Sequence, residues 1–346
     1  MKKVVNSVLI VSALLVLFLL FNPYKEKASV GILLPTDDIS AHFDARVGFL
    51  TALQNLPKDV NFVDVDYTSD TLEKSIEDAT KKGIRYFVAD GYSSDLAKID
   101  DILGRTHSVL IEAMVTNPKM LKKVKYAFTM APTDDIQANA IAAYITSMGY
   151  KNIVIVKDNT NLDYVTYLAD EIIKNLKNTT KEKSIFINEI KNVEHSPDAF
   201  VLIMSPDNAV KVIEELKEKF PTSAFMGSDW TFHTSLLDHL SVTKGFVTVG
   251  FVDPLYLKSS LNEKISNKYL VLTPVGVLSY DALKVAYILA KERISYKDAE
   301  KYLNSHSFFG MGETFTFNGV HATTPVYFYR ITSSGFKLTW KFGGNG

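Results

Sequence analysis

Three stretches of this sequence set small hydroxylated, acidic or aromatic residues directly behind a short apolar run. Tyr86–Ala89 leads into Asp90-Gly91-Tyr92-Ser93-Ser94-Asp95. Ser108–Ile111 leads into Glu112-Ala113-Met114-Val115-Thr116-Asn117-Pro118. Ala224–Met226 leads into Gly227-Ser228-Asp229-Trp230. Hydroxyls and free backbone N–H groups at a helix start suit a carboxylate. An acid beside an indole suits an ammonium group, through charge pairing and the ring face. Each feature alone has a plainer use: Ser94 or Asp95 would serve as a helix cap, and Asp229 as a turn residue before Trp230. Together they point to a site for a small zwitterion, with Asp229 on its cationic group and Ser93, Ser94 and Thr116 on its anionic end.

Residue sets for covalent or metal chemistry are missing. The sequence holds no H-E-x-x-H, G-x-S-x-G or G-x-x-x-x-G-K-[ST] pattern. Its seven histidines are scattered; His233 and His239, six apart, fall on different faces of a helix and make poor co-ligands. Zero cysteines exclude a disulfide framework, a zinc ribbon, a thiol nucleophile and a lipidated cysteine. With 38 basic and 39 acidic residues, the net charge of −1 removes the case for a nucleic-acid binder. The expectation is a binding protein with no enzymatic activity and no cofactor.

The elements that must position these residues alternate from Ser29 onward. Strands are predicted at Ser29–Leu34, Asn61–Asp66, Tyr86–Ala89 and Ser108–Ile111, with helices at Ala45–Asn55, Thr71–Lys82 and Asp95–Leu103 between them. The pattern restarts with a helix over Thr133–Met148, strands at Asn152–Val156, Ser184–Ile187, Ala199–Met204, Ala224–Met226 and Phe246–Phe251, and helices at Tyr164–Leu176 and Ala209–Phe220. A long helix covers Leu278–Glu292, and the last strands turn back at Ser334-Gly335. Strand-plus-helix units in series predict parallel sheets with crossover helices. No flexible linker divides the halves, so two lobes joined by crossing strands are expected, with a cleft between them and ligands outside the carboxyl ends of the strands.

The N-terminus sets the compartment. Lys2 and Lys3 precede an apolar run from Val8 to Phe21, broken only by Ser12. This is the pattern of a secretory signal, and the positive-inside rule puts the rest of the chain outside the cytoplasm. The bulky, charged stretch after Phe21 makes a poor cleavage site, which favours a retained membrane anchor over residues 1–27.

The ordered series VGILLP, FVDVDYTSDTLEKSIEDATKKGIRYFVADGYSSD, VLIEAMVTNP, YAFTMAPTDDIQANAIAAYITSMGYKNIVIVKDN, FMGSDW, SYDALKVAYILA and FFGMGETFTFNG resembles the type I periplasmic binding proteins, in their leucine/isoleucine/valine-binding branch of ABC-transporter solute receptors. The resemblance runs from about Ser29 to Lys341. It implies an α/β fold of two Rossmann-like lobes, with 28–133 plus 252–322 in the first and 134–251 plus 323–346 in the second. It implies capture of an amino acid or similar polar solute for an ABC permease and ATPase; the same fold also serves ligand-sensing subunits of membrane signalling systems. Where residues match, it places Ser93, Ser94 and Thr116 at the ligand carboxylate, Met114 as a backbone contributor and Asp229 at the ammonium; Tyr92 and Trp230, beside them in sequence, are further candidate ligand contacts. Phe43 falls where an aromatic covers the ligand. Tyr164 stands two residues beyond the family's tyrosine position, occupied here by Leu162, and Ser205 replaces a second tyrosine. Between Leu176 and Ala199 the chain is short by one crossover helix.

Overall fold

In the computed structural model the described residues are 27–252 and 273–343, apart from 38, 40–41, 100, 177–179 and 312–313. The expected N-terminal anchor lies outside them, as does most of the crossing after Val252. No helix among the described residues is long and apolar enough to cross a membrane.

Two seven-stranded sheets form in the order that the alternating pattern requires. The first is built from β1 (Ser29–Pro35), β2 (Asn61–Tyr67), β3 (Tyr86–Ala89), β4 (Val109–Glu112) and β5 (Ala127–Thr129). The second is built from β6 (Asn152–Lys157), β7 (Lys181–Phe186), β8 (Ala199–Ile203), β9 (Ala224–Gly227) and β10 (Val247–Gly250). A small ribbon of β11 (Phe308–Phe309) and β12 (Thr314–Phe315) precedes β13 (Phe317–Asn318) and β14 (His321–Ala322), which complete the first sheet. The antiparallel hairpin of β15 (Val326–Thr332) and β16 (Gly335–Phe342) completes the second. The orders are β13-β14-β5-β4-β3-β1-β2 and β16-β15-β10-β9-β8-β6-β7. Each five-stranded parallel core thus runs 2-1-3-4-5, and each has its topological switch beside its own first strand. The chain passes between sheets after β5, after β10 and between β14 and β15.

Local chemistry accounts for where several helices begin. Asn117-Pro118, Ser205-Pro206 and Thr273-Pro274 repeat one device: a capping side chain followed by a proline whose missing N–H costs nothing there. Helix Asp134–Ser147 carries small and apolar residues around most of its circumference and is buried accordingly, from Ala138 and Ile141 to Ile145. Helix Phe43–Asn55 crosses helix Pro274–Lys291 so closely that a Cβ on Gly48 would lie 2.1 Å from the Gly276 carbonyl oxygen. Gly48 is therefore a contact requirement rather than a flexible point.

The predicted helix Asp95–Leu103 is broken. Helical turns at Ser93–Leu96 and Ile102–Arg105 flank a 3₁₀ turn at Ala97–Ile99. The buried apolar residues Leu96, Ile99 and Ile102 recur every third position, the spacing that aligns on a 3₁₀ turn rather than an α-helix. The connection from β7 to β8 holds only a 3₁₀ turn, Ile187–Asn192, in keeping with the missing crossover helix.

Candidate functional site

A cavity of about 680 Å³ lies between the two carboxyl edges. Of the ten residues singled out in the sequence, Tyr92, Ser93, Ser94, Met114, Thr116, Tyr164, Ser205, Asp229 and Trp230 line it. Phe43 does not: it begins a helix and is 51% exposed, while its neighbours His42 and Asp44 face the cavity.

On the first wall, the turn after β3 is held from beneath. The Gly91 N–H donates to Oε2 of Glu112 at 3.1 Å. Glu112 is buried at the end of β4, and burial, reinforced by Asp90 and Asp95, lifts its carboxyl to about 8 against the pull of that one N–H. At neutral pH it is largely a neutral acid. His42 Nδ1 pairs with Asp90 Oδ2 at 2.9 Å, and its ring stands edge-on to Tyr92 at 5.1 Å. Asp95 turns away from the cavity, accepting from the Ser69 hydroxyl at 2.9 Å. These contacts fix the backbone that presents Ser93 and Ser94.

On the second wall, Asp229 opens a 3₁₀ turn just after β9 and is buried. The Tyr164 hydroxyl and Gln137 Nε2 both donate to its Oδ1, at 2.5 and 2.8 Å. Gln137 closes the pair by accepting the Asp229 N–H at 3.0 Å. Burial raises the Asp229 pKa, and these two donors oppose the rise. Asp134, fully buried one helical turn before Gln137, is approached by the Thr116 hydroxyl, which opposes the rise in its pKa, although neither carboxylate oxygen has a donor in full hydrogen-bond geometry among the described residues. Burial first, and the charge of Asp229 second, push its pKa well above the ordinary carboxylate range. Its backbone N–H donates to the Thr116 carbonyl at 2.8 Å, which ties this acid to the first wall. Trp230 packs edge-on to Tyr164 at 5.9 Å.

Asp158, buried at the end of β6, gathers Thr160 and the Asn208 side chain, at 3.1 and 2.8 Å. It thereby binds the loop after β6 to the start of helix Pro206–Lys219, where the Ser205 hydroxyl accepts from the Asn208 N–H at 3.4 Å. Ser205 reaches the cavity rim, but its hydroxyl serves as a helix cap. Side chains also meet across the cleft: His233 Nε2 lies 3.6 Å from Asp44 Oδ2, and Lys119 Nζ lies 4.7 Å from the centre of the Tyr167 ring.

Sequence reasoning missed His42, Asp44, Asp90, Asp134 and Gln137. Asp134 reads as a helix-start residue after Pro132-Thr133. Gln137, three positions on and so on the same face, was the available signal. His42 and Asp44 flank the aromatic that drew attention instead. Carboxylates at Asp44, Asp90, Asp207 and Asp229 line the cavity, and among the described residues no lysine or arginine does. No group of three or more histidine or acidic side chains there is placed to hold a metal ion.

The profile of the family described as "Receptor family ligand binding region" matches residues 52–270. Among curated proteins, none matches the sequence. Solved structures share the fold. A leucine-binding protein LivK from Thermotoga maritima is 17% identical with a TM-score of 0.76, covering 91% of this chain and 98% of its own. The branched-chain amino acid transporter substrate-binding protein LivJ from Streptococcus pneumoniae, in complex with isoleucine, is 13% identical with a TM-score of 0.77, covering 92% and 99%. A solute-binding protein of an ABC transporter from Rhodopseudomonas palustris, in complex with p-hydroxybenzoic acid, is 12% identical with a TM-score of 0.77, covering 91% and 96%. With two lobes of like topology closing on one cavity, the fold is that of the type I periplasmic binding proteins, and the chain belongs to the receptor-family ligand-binding regions, which bind a ligand rather than transform it.

Proposed function

We propose that the cleft captures an α-amino acid for an ABC importer, outside the cytoplasmic membrane and tethered to it through residues 1–27. The observation that carries the reading is the second wall: Asp229, buried, lining the cavity and oriented by Tyr164 and Gln137. Asp229 in a cavity that no lysine or arginine lines, among the described residues, suits an ammonium group. The turn at Ser93 and Ser94, with Thr116, takes the carboxylate through hydroxyls and helix-start N–H groups. A zwitterion stripped of water needs a fixed partner for each charge. Since those partners stand on different walls, the ligand draws the lobes together. The lobes on this reading are 28–133 plus 252–322 and 134–251 plus 323–346.

Leucine and isoleucine on one side, and hydroxybenzoates on the other, are the ligands of the structural relatives. A hydroxybenzoate offers an anion and no ammonium, so it would leave Asp229 without a counter-charge. The importer role rests on the relatives' own descriptions as transporter proteins. Mass spectrometry of small molecules released from the purified protein tests the reading: an amino acid supports it, and an aromatic acid without an amine refutes it.

A further inference from the structure

We propose that the captured amino acid carries a second positive charge on its side chain, held by Asp44. This rests on the reading that Asp229 holds the α-ammonium. In the first sheet β4, β3 and β1 are successive neighbours, so the segments that follow them, bearing Thr116, Ser93 and Asp44, leave the same carboxyl edge in turn. The second wall runs the same way, since Thr116 adjoins the Asp134–Asp229 pair while His233, four residues past Asp229, faces Asp44. The cleft therefore has an acid at each end, with hydroxyls between.

Asp44 is built into that far end. Its side chain is 12% exposed, it lines the cavity, and Oδ2 has no hydrogen-bond partner among the described residues. His233 only neighbours it: Nδ1 accepts the Ser235 N–H at 3.1 Å, so a neutral ring carries its proton on Nε2, which stops 3.6 Å short of the carboxylate. Asp90 adds a second acid to the same wall. A helix start favours an acidic residue at this position, which accounts for the residue type but not for its place in a cavity wall. An aliphatic side chain arriving here would bury Asp44 against hydrocarbon without a donor, a costly arrangement. An ammonium or guanidinium supplies the donor and the charge. Lysine, ornithine and arginine carry such a group several bonds beyond the α-carbon, and leucine carries none.

Titration calorimetry of the purified full chain with lysine, ornithine, arginine, norleucine and p-hydroxybenzoate tests this. At least one basic amino acid should bind about tenfold or more tightly than norleucine, and Asp44→Asn should shrink that ratio to within about threefold. The wild-type ratio decides even if the variant folds poorly. Norleucine binding as tightly as the basic amino acids overturns this proposal and leaves the amino-acid reading standing. Binding of p-hydroxybenzoate without any amino acid overturns both, and failure of all three basic amino acids to bind overturns the proposal outright.

Discussion

The two walls of the cleft face the same problem, a carboxyl group buried at the end of a parallel strand, and meet it differently. On the first wall Glu112 has one backbone donor and sits near Asp90 and Asp95, so its pKa rises to about 8 and it spends neutral pH largely as an acid. On the second wall Asp229 receives Tyr164 and Gln137, which oppose the effect of burial. Asp134, with only the Thr116 hydroxyl opposing burial and the charge of Asp229, is pushed furthest from ionisation of this second pair. Burial is the largest cause in all three, and they differ in the donors and neighbouring charges that oppose or reinforce it. Glu112 is a scaffold acid that secures the turn beneath Ser93, whereas Asp229 is kept available for charge.

The largest expected effect separates these roles at the ligand. Asp229→Asn preserves size and hydrogen-bonding shape but removes the charge, and it should weaken binding of the released ligand by about 2–5 kcal/mol. Calorimetry measures this, and an affinity within about threefold of wild type would remove Asp229 from the site.

Glu112 should instead show itself in stability. Its folded pKa of about 8 exceeds the ordinary 4.5, so the folded state holds a proton that the unfolded chain releases. The contribution is fully present below about 4.5 and is lost as pH rises to about 8, at up to roughly 1.4 kcal/mol per pH unit. Denaturation across that window should give a smaller downward slope for Glu112→Gln than for wild type. Equal slopes would mean that the carboxyl is ionised in the fold.

The smallest effect concerns contact between the walls. Lys119 over Tyr167 is a cation–π contact across the cleft at an exposed site, worth about 0.5–1 kcal/mol. If it favours the closed arrangement, Lys119→Ala should weaken ligand binding by about two- to fivefold, and scattering should record a larger radius of gyration for the ligand-free variant. An unchanged radius for wild type with and without saturating ligand would count against closure altogether.

Both sheets were legible from the chain because their strands are short apolar runs with amphipathic helices between them, a periodicity carried by neighbouring residues. The ends of β3, β4 and β9 were legible too, since polar residues following an apolar run mark a carboxyl edge. Short elements escaped. β5 has three residues and β14 two, and they hold their places through partners far along the chain, as in the Thr129–His321 pairing. The break in the helix after Ser93 follows from a three-residue spacing that reads as amphipathic until the core claims it.

Alternation, polar strand ends and the absence of catalytic motifs were enough, by themselves, to imply two α/β lobes and a binding cleft, because each depends on residues within a few positions of one another. The tertiary structure alone decided which acids act together. Gln137 and Asp229 are 92 residues apart and Tyr164 and Asp229 are 65 apart, yet they share one buried carboxylate. It also decided that His42 and Asp44 face the cavity while Phe43, between them, faces water. Burial and donor count set the charge of a carboxyl, and both come into being only when strands distant in sequence meet at a common edge.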